Sequence, residues 1–259
     1  MAEKFLTYAI LLVFAFIAEL IDGSLGMGYG VSLTTFLLNI GFATAIASAS
    51  VHISEIFTTL VSGVSHFKAG NFEKKIFKFL AIGGVFGGIL GAYLAVRLQE
   101  ISFIKPVISG ILLFFGLLII IKFLKKKQET EYLTPRIRKL VPLGFFAAFI
   151  DAIGGGGWGP VTTPALLATN THPKKTIGSV NFAEFFVTLA ISITFLLTLK
   201  DINYNIIMPL IIGGVISAPV AAILTKKINH RLLGLLVGLL IIILSLRTIL
   251  NFMEIGFFF

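Results

Sequence analysis

The chain has 259 residues, of which 57% are hydrophobic and only 13% charged, with a mean hydropathy of +1.01. Soluble chains carry about 25% charged residues, so this composition excludes an ordinary water-soluble domain and fits hydrocarbon as the solvent. The lack of cysteine excludes disulfides, thiolate metal sites and thiol nucleophiles; the net charge of +9 comes from cations set between apolar runs, which reads as juxtamembrane loops and not as a nucleic-acid face.

In chain order, the first element covers 5–40, an apolar stretch broken by glycines. Its start, MAEKFLTYAILLVFAF, lacks a charged segment leading to a small-residue cleavage site, so it is expected to be a retained helix. Three runs long enough to cross a bilayer follow at 43–67, 76–96 and 103–124. The polar stretch KFLKKKQETEYLTPRIRK, 122–139, is the expected linker between a first unit (1–121) and a second (140–259). The second unit opens with another glycine-broken region, 140–169, followed by crossing runs at 174–199, 204–225 and 231–250.

The two broken regions are copies of each other. Sliding 16–60 onto 145–189 without gaps aligns Asp22 with Asp151, Gly26 with Gly155, Gly28 with Gly157 and Gly30 with Gly159. The same offset aligns Thr34 with Thr163, Ser50 with Ser179 and Glu55 with Glu184. Apolar bias would not align rare acids, so the chain is an internal duplication. With one residue inserted, Gly83-Gly84-Val85 meets Gly213-Gly214-Val215.

The linker carries Lys122, Lys125, Lys126, Lys127, Arg136, Arg138 and Lys139, and is expected in the cytoplasm. Three full spans per half then bring Lys68, Lys74, Lys75, Lys78, Lys174, Lys175, Lys226, Lys227 and Arg231 to the same side, with both termini opposite. Leu140 to Asp151 makes about 16 Å of helix at 1.5 Å per residue, which reaches mid-membrane. The expected fold is an all-α polytopic membrane protein of two inverted repeats, each a glycine-tipped half-helix hairpin plus three full transmembrane helices.

The tips read Asp22-Gly-Ser-Leu-Gly-Met-Gly-Tyr-Gly30 and Asp151-Ala-Ile-Gly-Gly-Gly-Gly-Trp-Gly159. Glycine lets backbone approach a ligand closely. The helices expected to follow, from about Ser32 and Thr162, would aim N-terminal N–H groups and positive dipole ends at the tips. Two facing tips would form an anion site without lysine or arginine, from Gly26, Gly28, Gly30, Gly155, Gly156, Gly157 and Gly159. Ser32, Thr34, Thr162 and Thr163 would add hydroxyls, and Tyr29 and Trp158 would wall the site. The second tip, Asp151 to Pro160, is expected to make more of the substrate contact. Gly83, Gly84, Gly87, Gly88 and Gly91 read as helix-packing positions.

Glu19, Asp22, Glu55, Asp151 and Glu184 lie in apolar sequence, where ionisable groups usually face a cavity and mark an ion or proton path. Asp22 and Asp151 either brace the glycine turns or act in coupling. Glu55 and Glu184 follow His52 and Asn181 by three residues, placing each pair on one helix face. Glu55 and Glu184 are either neutral carboxyls bonded between helices or proton-coupling groups, with His52 beside the first and Asn181 facing substrate. His66, His172 and His230 are expected at the interfaces, and no metal-like cluster or cofactor motif is seen. The terminal FFF reads as lipid contact or interfacial anchoring.

At GSLGMGYGVSLTTFLL, AFIDAIGGGGWGPVTTPALL and TIGSVNFAEFF the sequence resembles the TauE/SafE (sulfite exporter) family of membrane permeases, over essentially the whole chain. The resemblance implies a cell-membrane secondary transporter, most often outward, of a small sulfur-containing anion such as sulfite or an organosulfonate. It extends to other small organic anions. A passive anion channel is the competing reading. An intramembrane enzyme finds no support, because the sequence has no nucleophile turn with a partner histidine and no metal ligand set. Substrate and lipid are the only partners expected; nucleic acid is not.

Overall fold

The computed structural model describes residues 2–98, 103–124, 133, 135–167, 169, 171–199, 202–224 and 230–253. Most of the basic linker, Lys226, Lys227, the side chains of His230 and Arg231, and the terminal phenylalanines lie outside the described residues. Among the described residues all regular structure is helical: α1 Ala2–Leu25, α2 Tyr29–Asn39, α3 Thr44–Lys68, α4 Lys74–Leu98, α5 Ile104–Leu124, α6 Ile137–Gly154, α7 Trp158–Leu167, α8 Pro173–Thr198, α9 Tyr204–Leu224 and α10 His230–Phe252. Stretches of α1, α3, α4, α8 and α9 are long and apolar enough to cross a membrane.

Two expected boundaries move. The helices after the tips begin at Tyr29 and Trp158, not near Ser32 and Thr162, because the side chains of Asp22 and Asp151 cap the incoming turns at Tyr29 and Gly157. Helix α6 also runs from Ile137 to Gly154, about 27 Å, and so is longer than the stretch from Leu140 to Asp151. By contrast α2 and α7, with 11 and 10 residues, are only about 16 and 15 Å long.

Packing follows the 129–130-residue offset. Helix α4 lies on α6 and α1 on α9; α3 packs on α8, α5 on α10, α4 on α8 and α3 on α9. Glycines make the closest of these contacts possible. A Cβ on Gly83 or Gly87 would strike the Val141 or Phe145 carbonyl of α6, and one on Gly91 would meet the Phe149 carbonyl at 2.5 Å. One on Gly213 would strike the Leu12 carbonyl of α1 in the same way. Small residues let helix backbones touch where lipid gives no hydrophobic drive between helices.

Helices α3 and α8 run antiparallel. His52 faces Phe195, Ser62 faces Asn181, and the Asn71 carbonyl covers Gly178. Lys175 at the start of α8 lies 3.7 Å from Glu73 just beyond α3. Lys75 at the start of α4 shares a surface cleft of about 600 Å³ with Arg136, Arg138 and Lys139 at the start of α6. The surface is apolar, with Leu197, Ile223, Phe86 and Phe146 more than half exposed, while serines, threonines, acids and histidines fill the interior. That inversion is stable only with lipid as the outer solvent.

Candidate functional site

The site is built where α1 meets α2 and α6 meets α7. Each leading helix ends in the same way: Gly26 and Gly155, both at φ 69°, send their N–H groups back to the Asp22 and Asp151 carbonyls at 2.6 and 2.5 Å. Glycine meets this left-handed conformation without a Cβ penalty. The aspartates then brace the next helix. Asp22 Oδ1 accepts the Tyr29 N–H at 3.2 Å, and Asp151 Oδ1 accepts the Gly157 N–H at 2.7 Å. A carboxylate at a helix N-terminus satisfies an orphan donor and complements the dipole.

The two tips are locked to each other by a reciprocal pair of bonds. Thr34 Oγ1 on α2 donates to the Gly155 carbonyl, and Thr163 Oγ1 on α7 donates to the Gly26 carbonyl, the latter at 2.7 Å. The backbones touch. A Cβ on Gly156 would strike the Val31 backbone, one on Gly159 would lie 2.7 Å from Met27 Cα, and one on Gly30 would lie 2.9 Å from Glu55 Oε1 and 3.1 Å from Gly156 Cα. Thr162 turns its hydroxyl back to the Trp158 carbonyl at 2.7 Å.

Tyr29 and Trp158 start α2 and α7, and each reaches a glycine of the opposite half. The Tyr29 hydroxyl donates to the Leu210 carbonyl of α9 at 3.2 Å and lies 3.0 Å from Ser54 Oγ. Trp158 Nε1 donates to the Val180 carbonyl of α8 at 3.3 Å. Gly214 and Gly84 make room for them: a Cβ on the first would approach the Tyr29 hydroxyl at 3.3 Å, on the second the Trp158 ring at 2.8 Å.

Helix α3 threads past both tips. Ser48 Oγ donates to the Ala152 carbonyl at 2.7 Å. His52 Nδ1 lies 2.8 Å from the Ser48 carbonyl and Nε2 lies 3.0 Å from Asp151 Oδ2. A carbonyl only accepts, so Nδ1 carries a hydrogen, and one further proton is shared between Nε2 and the Asp151 carboxyl. Glu184 on α8 feels the charges of Asp22, Glu55, Asp151 and Glu19, so the five acids converge on one region. All five are buried, and the buried interior among the described residues has no lysine or arginine. Several polar atoms there have no hydrogen-bond partner: Glu19 Oε1, Ser32 Oγ, Glu55 Oε2 and Asn181 Oδ1. Among the described residues no cluster of three or more His, Cys, Asp or Glu could hold a metal ion.

The structure therefore brings together Gly26, Gly28, Tyr29, Gly30, Thr34, Gly155, Gly156, Gly157, Gly159 and Thr163 at the tips, with Asp22, His52, Glu55, Asp151 and Glu184 around them. Trp158 faces α4 and α8, and Asn181 sits apart from the glycines, donating to Ser62 at 3.1 Å. His66 departs from its expected interfacial place. It is fully buried, and Nε2 donates to the Gly23 carbonyl at 2.9 Å, because Gly23 near the end of α1 and Gly178 of α8 lie against it. Ser48, Ser54 and Ser62 join the site without a motif of their own; their only signal in the sequence is the density of serine and threonine along α3.

Residues 11–248 match the family model described as sulfite exporter TauE/SafE. The chain is 44% identical over 250 residues to the probable membrane transporter protein YtnM of Bacillus subtilis (strain 168), covering 93% of this chain and 83% of that protein. Two others from the same organism are more distant. Probable membrane transporter protein YdhB is 24% identical over 79% of this chain and 83% of its own length. Probable membrane transporter protein YjnA is 22% identical over 94% and 100%. No solved structure matches. With a multi-pass helical fold, a match over nearly its whole length and a relative this similar, the chain belongs to the sulfite exporter TauE/SafE family of membrane transporters.

Proposed function

We propose that this chain is a secondary transporter of the cell membrane that exports a small sulfur-containing anion, such as sulfite or an organosulfonate, bound at the facing glycine tips. The observation that carries this reading is the reciprocal lock between Thr34 and Gly155 and between Thr163 and Gly26. It brings the N-termini of α2 and α7 together inside the protein, and two converging helix N-termini favour an anion. Direct backbone contact between the tips fits a gated carrier better than an open pore.

Three features support inverted repeats with re-entrant tips. Equivalent helices α3 and α8 pack antiparallel, as do α5 and α10, where Gly116 meets Ile241 and Gly238 meets Ile120. A two-fold relation that reverses such helices has its axis in the membrane plane. Helices α2 and α7 are too short to cross about 30 Å of hydrocarbon, which fits tips that turn within the bilayer. The shared cleft of Lys75 with Arg136, Arg138 and Lys139, and the Lys175–Glu73 pair, gather the cations at one end. Positive charge favours the cytoplasm for that end and, with it, the other side for the termini.

An anion entering among five buried acids needs them neutralised. A proton held between His52 and Asp151, with Asp22, Glu55 and Glu184 exchanging further protons, would couple proton movement to substrate movement. The test is flux of labelled sulfite and taurine in proteoliposomes under an imposed pH gradient. Saturable flux is expected, abolished by Gly156→Leu and by Glu184→Gln. Wild-type flux from both variants, or ohmic conductance without saturation, overturns the reading.

A further inference from the structure

Glu19 lies outside the tips, at a position where the two copies differ. Its equivalent in the second half, 129 residues on, is Ala148, which is fully buried in the same helix position. The fold is therefore satisfied by a methyl group where the first half carries an acid. An ionisable group in a membrane interior is costly, and here no requirement of the scaffold explains it.

The surroundings of Glu19 are equally one-sided. Ser62, whose equivalent is Ile191, lies beside Glu19, and Ser62 Oγ accepts the Asn181 amide at 3.1 Å. A point one bond from Gly23 Cα is 3.5 Å from both Glu19 Oε1 and Ser62 Oγ, so the three groups from α1, α3 and α8 form one cluster. Two of its oxygens, Glu19 Oε1 and Asn181 Oδ1, are acceptors without a partner, and their residues are 1% and 0% exposed. The nearest other charged or titratable groups add no donor: Asp22, Glu55 and Glu184 are acids, Tyr29 bonds the Leu210 carbonyl, and His66 spends Nε2 on the Gly23 carbonyl.

Two buried acceptors left without a partner in one cluster call for a positive ligand. All the ligating atoms are oxygens, which suits a hard cation. One carboxylate and neutral amide and hydroxyl oxygens match a single positive charge. We propose that Glu19 and Asn181, bridged by Ser62, bind a sodium ion between α1, α3 and α8. Asn181 then serves the cation and not the anion. A cation there also offsets the acids beside the tips, so its occupancy would favour anion entry; that coupling role rests on the transport reading, whereas the binding site does not.

The test is thermal unfolding of the purified full chain, without anionic substrate, in rising NaCl against choline chloride at constant ionic strength and fixed pH. Sodium is expected to raise Tm saturably, by about 3 °C or more. The shift should vanish in Glu19→Gln and in Glu19→Ala, the latter chosen because alanine already fills the equivalent place. It should survive in Glu55→Gln. Equal melting in the two salts overturns the site, as does a sodium shift retained in both Glu19 variants. A shift that follows pH with sodium absent, and ignores sodium, assigns the cluster to a proton and overturns it too. Each of these failures would leave the flux prediction for the tips standing.

Discussion

Tyr29 and Trp158 occupy equivalent places in the two halves, yet their surroundings differ in kind. Tyr29 meets Ser54 and a carbonyl of α9, while the Trp158 ring lies against Gly84 and Val187. The contrast extends along the helices that line them. Helix α3 places Ser48, His52, Ser54, Thr58 and Ser62 in the interior; α8 has Ile177, Asn181, Ala183, Val187 and Ile191 at the same offsets, all buried as well. Duplication preserved what the backbone needs, namely the tip glycines, the bracing aspartates and the clamping threonines. Polar chemistry was retained or added mostly on one copy.

The strongest way to break this comparison is at the aspartates. Asp151 holds both Gly157 N–H and His52, whereas the hydrogen bond Asp22 makes through its carboxylate is to Tyr29 N–H at 3.2 Å. Asp151→Ala is expected to cost about 3–5 kcal/mol, as when one partner of a buried pair is removed. Asp22→Ala should cost about 1 kcal/mol, the value of one capping bond. Denaturant unfolding in detergent micelles measures both, and equal losses would remove the asymmetry.

Next come the glycines of the second tip. Gly156→Ala drives a Cβ into the Val31 backbone and should cost about 2–3 kcal/mol. Its neighbour Gly154 has nothing within 4 Å of an added Cβ, so Gly154→Ala should leave both stability and flux unchanged. A tip that tolerated Gly156→Ala would not be in contact with α2.

The smallest effects test the symmetric part. Thr34→Val and Thr163→Val each remove one clamping hydroxyl and should each cost about 1 kcal/mol, with matching losses of flux. Tyr29→Phe should cost a similar 1 kcal/mol or so through the lost bond to Leu210. Clamps of clearly unequal worth would mean that the two tips are not held alike.

Much of the helical plan was legible in the residues. Apolar runs bounded α3, α4, α5, α8, α9 and α10 to within about two residues because hydrocarbon demands roughly 20 apolar positions. The tips were legible because glycine and aspartate are rare in such runs. The start of α2 and α7 was not, since a glycine-rich segment looks non-helical until an aspartate from the preceding helix is seen to cap it. His66 was misplaced for a related reason: a histidine near a helix end looks exposed unless the helix crossing it is known.

The sequence by itself determined that the chain lives in lipid, that it is a duplication, and that rare acids and glycines recur 129 residues apart. Periodicity and composition are properties of one chain read in order, so these follow without coordinates. Only the tertiary structure decided which copy serves which. His52 of the first half pairs with Asp151 of the second, each threonine clamps the opposite tip, and Asn181 of the second half donates to Ser62 of the first. Such pairings depend on how antiparallel helices from different halves come into register, and no local pattern carries that information.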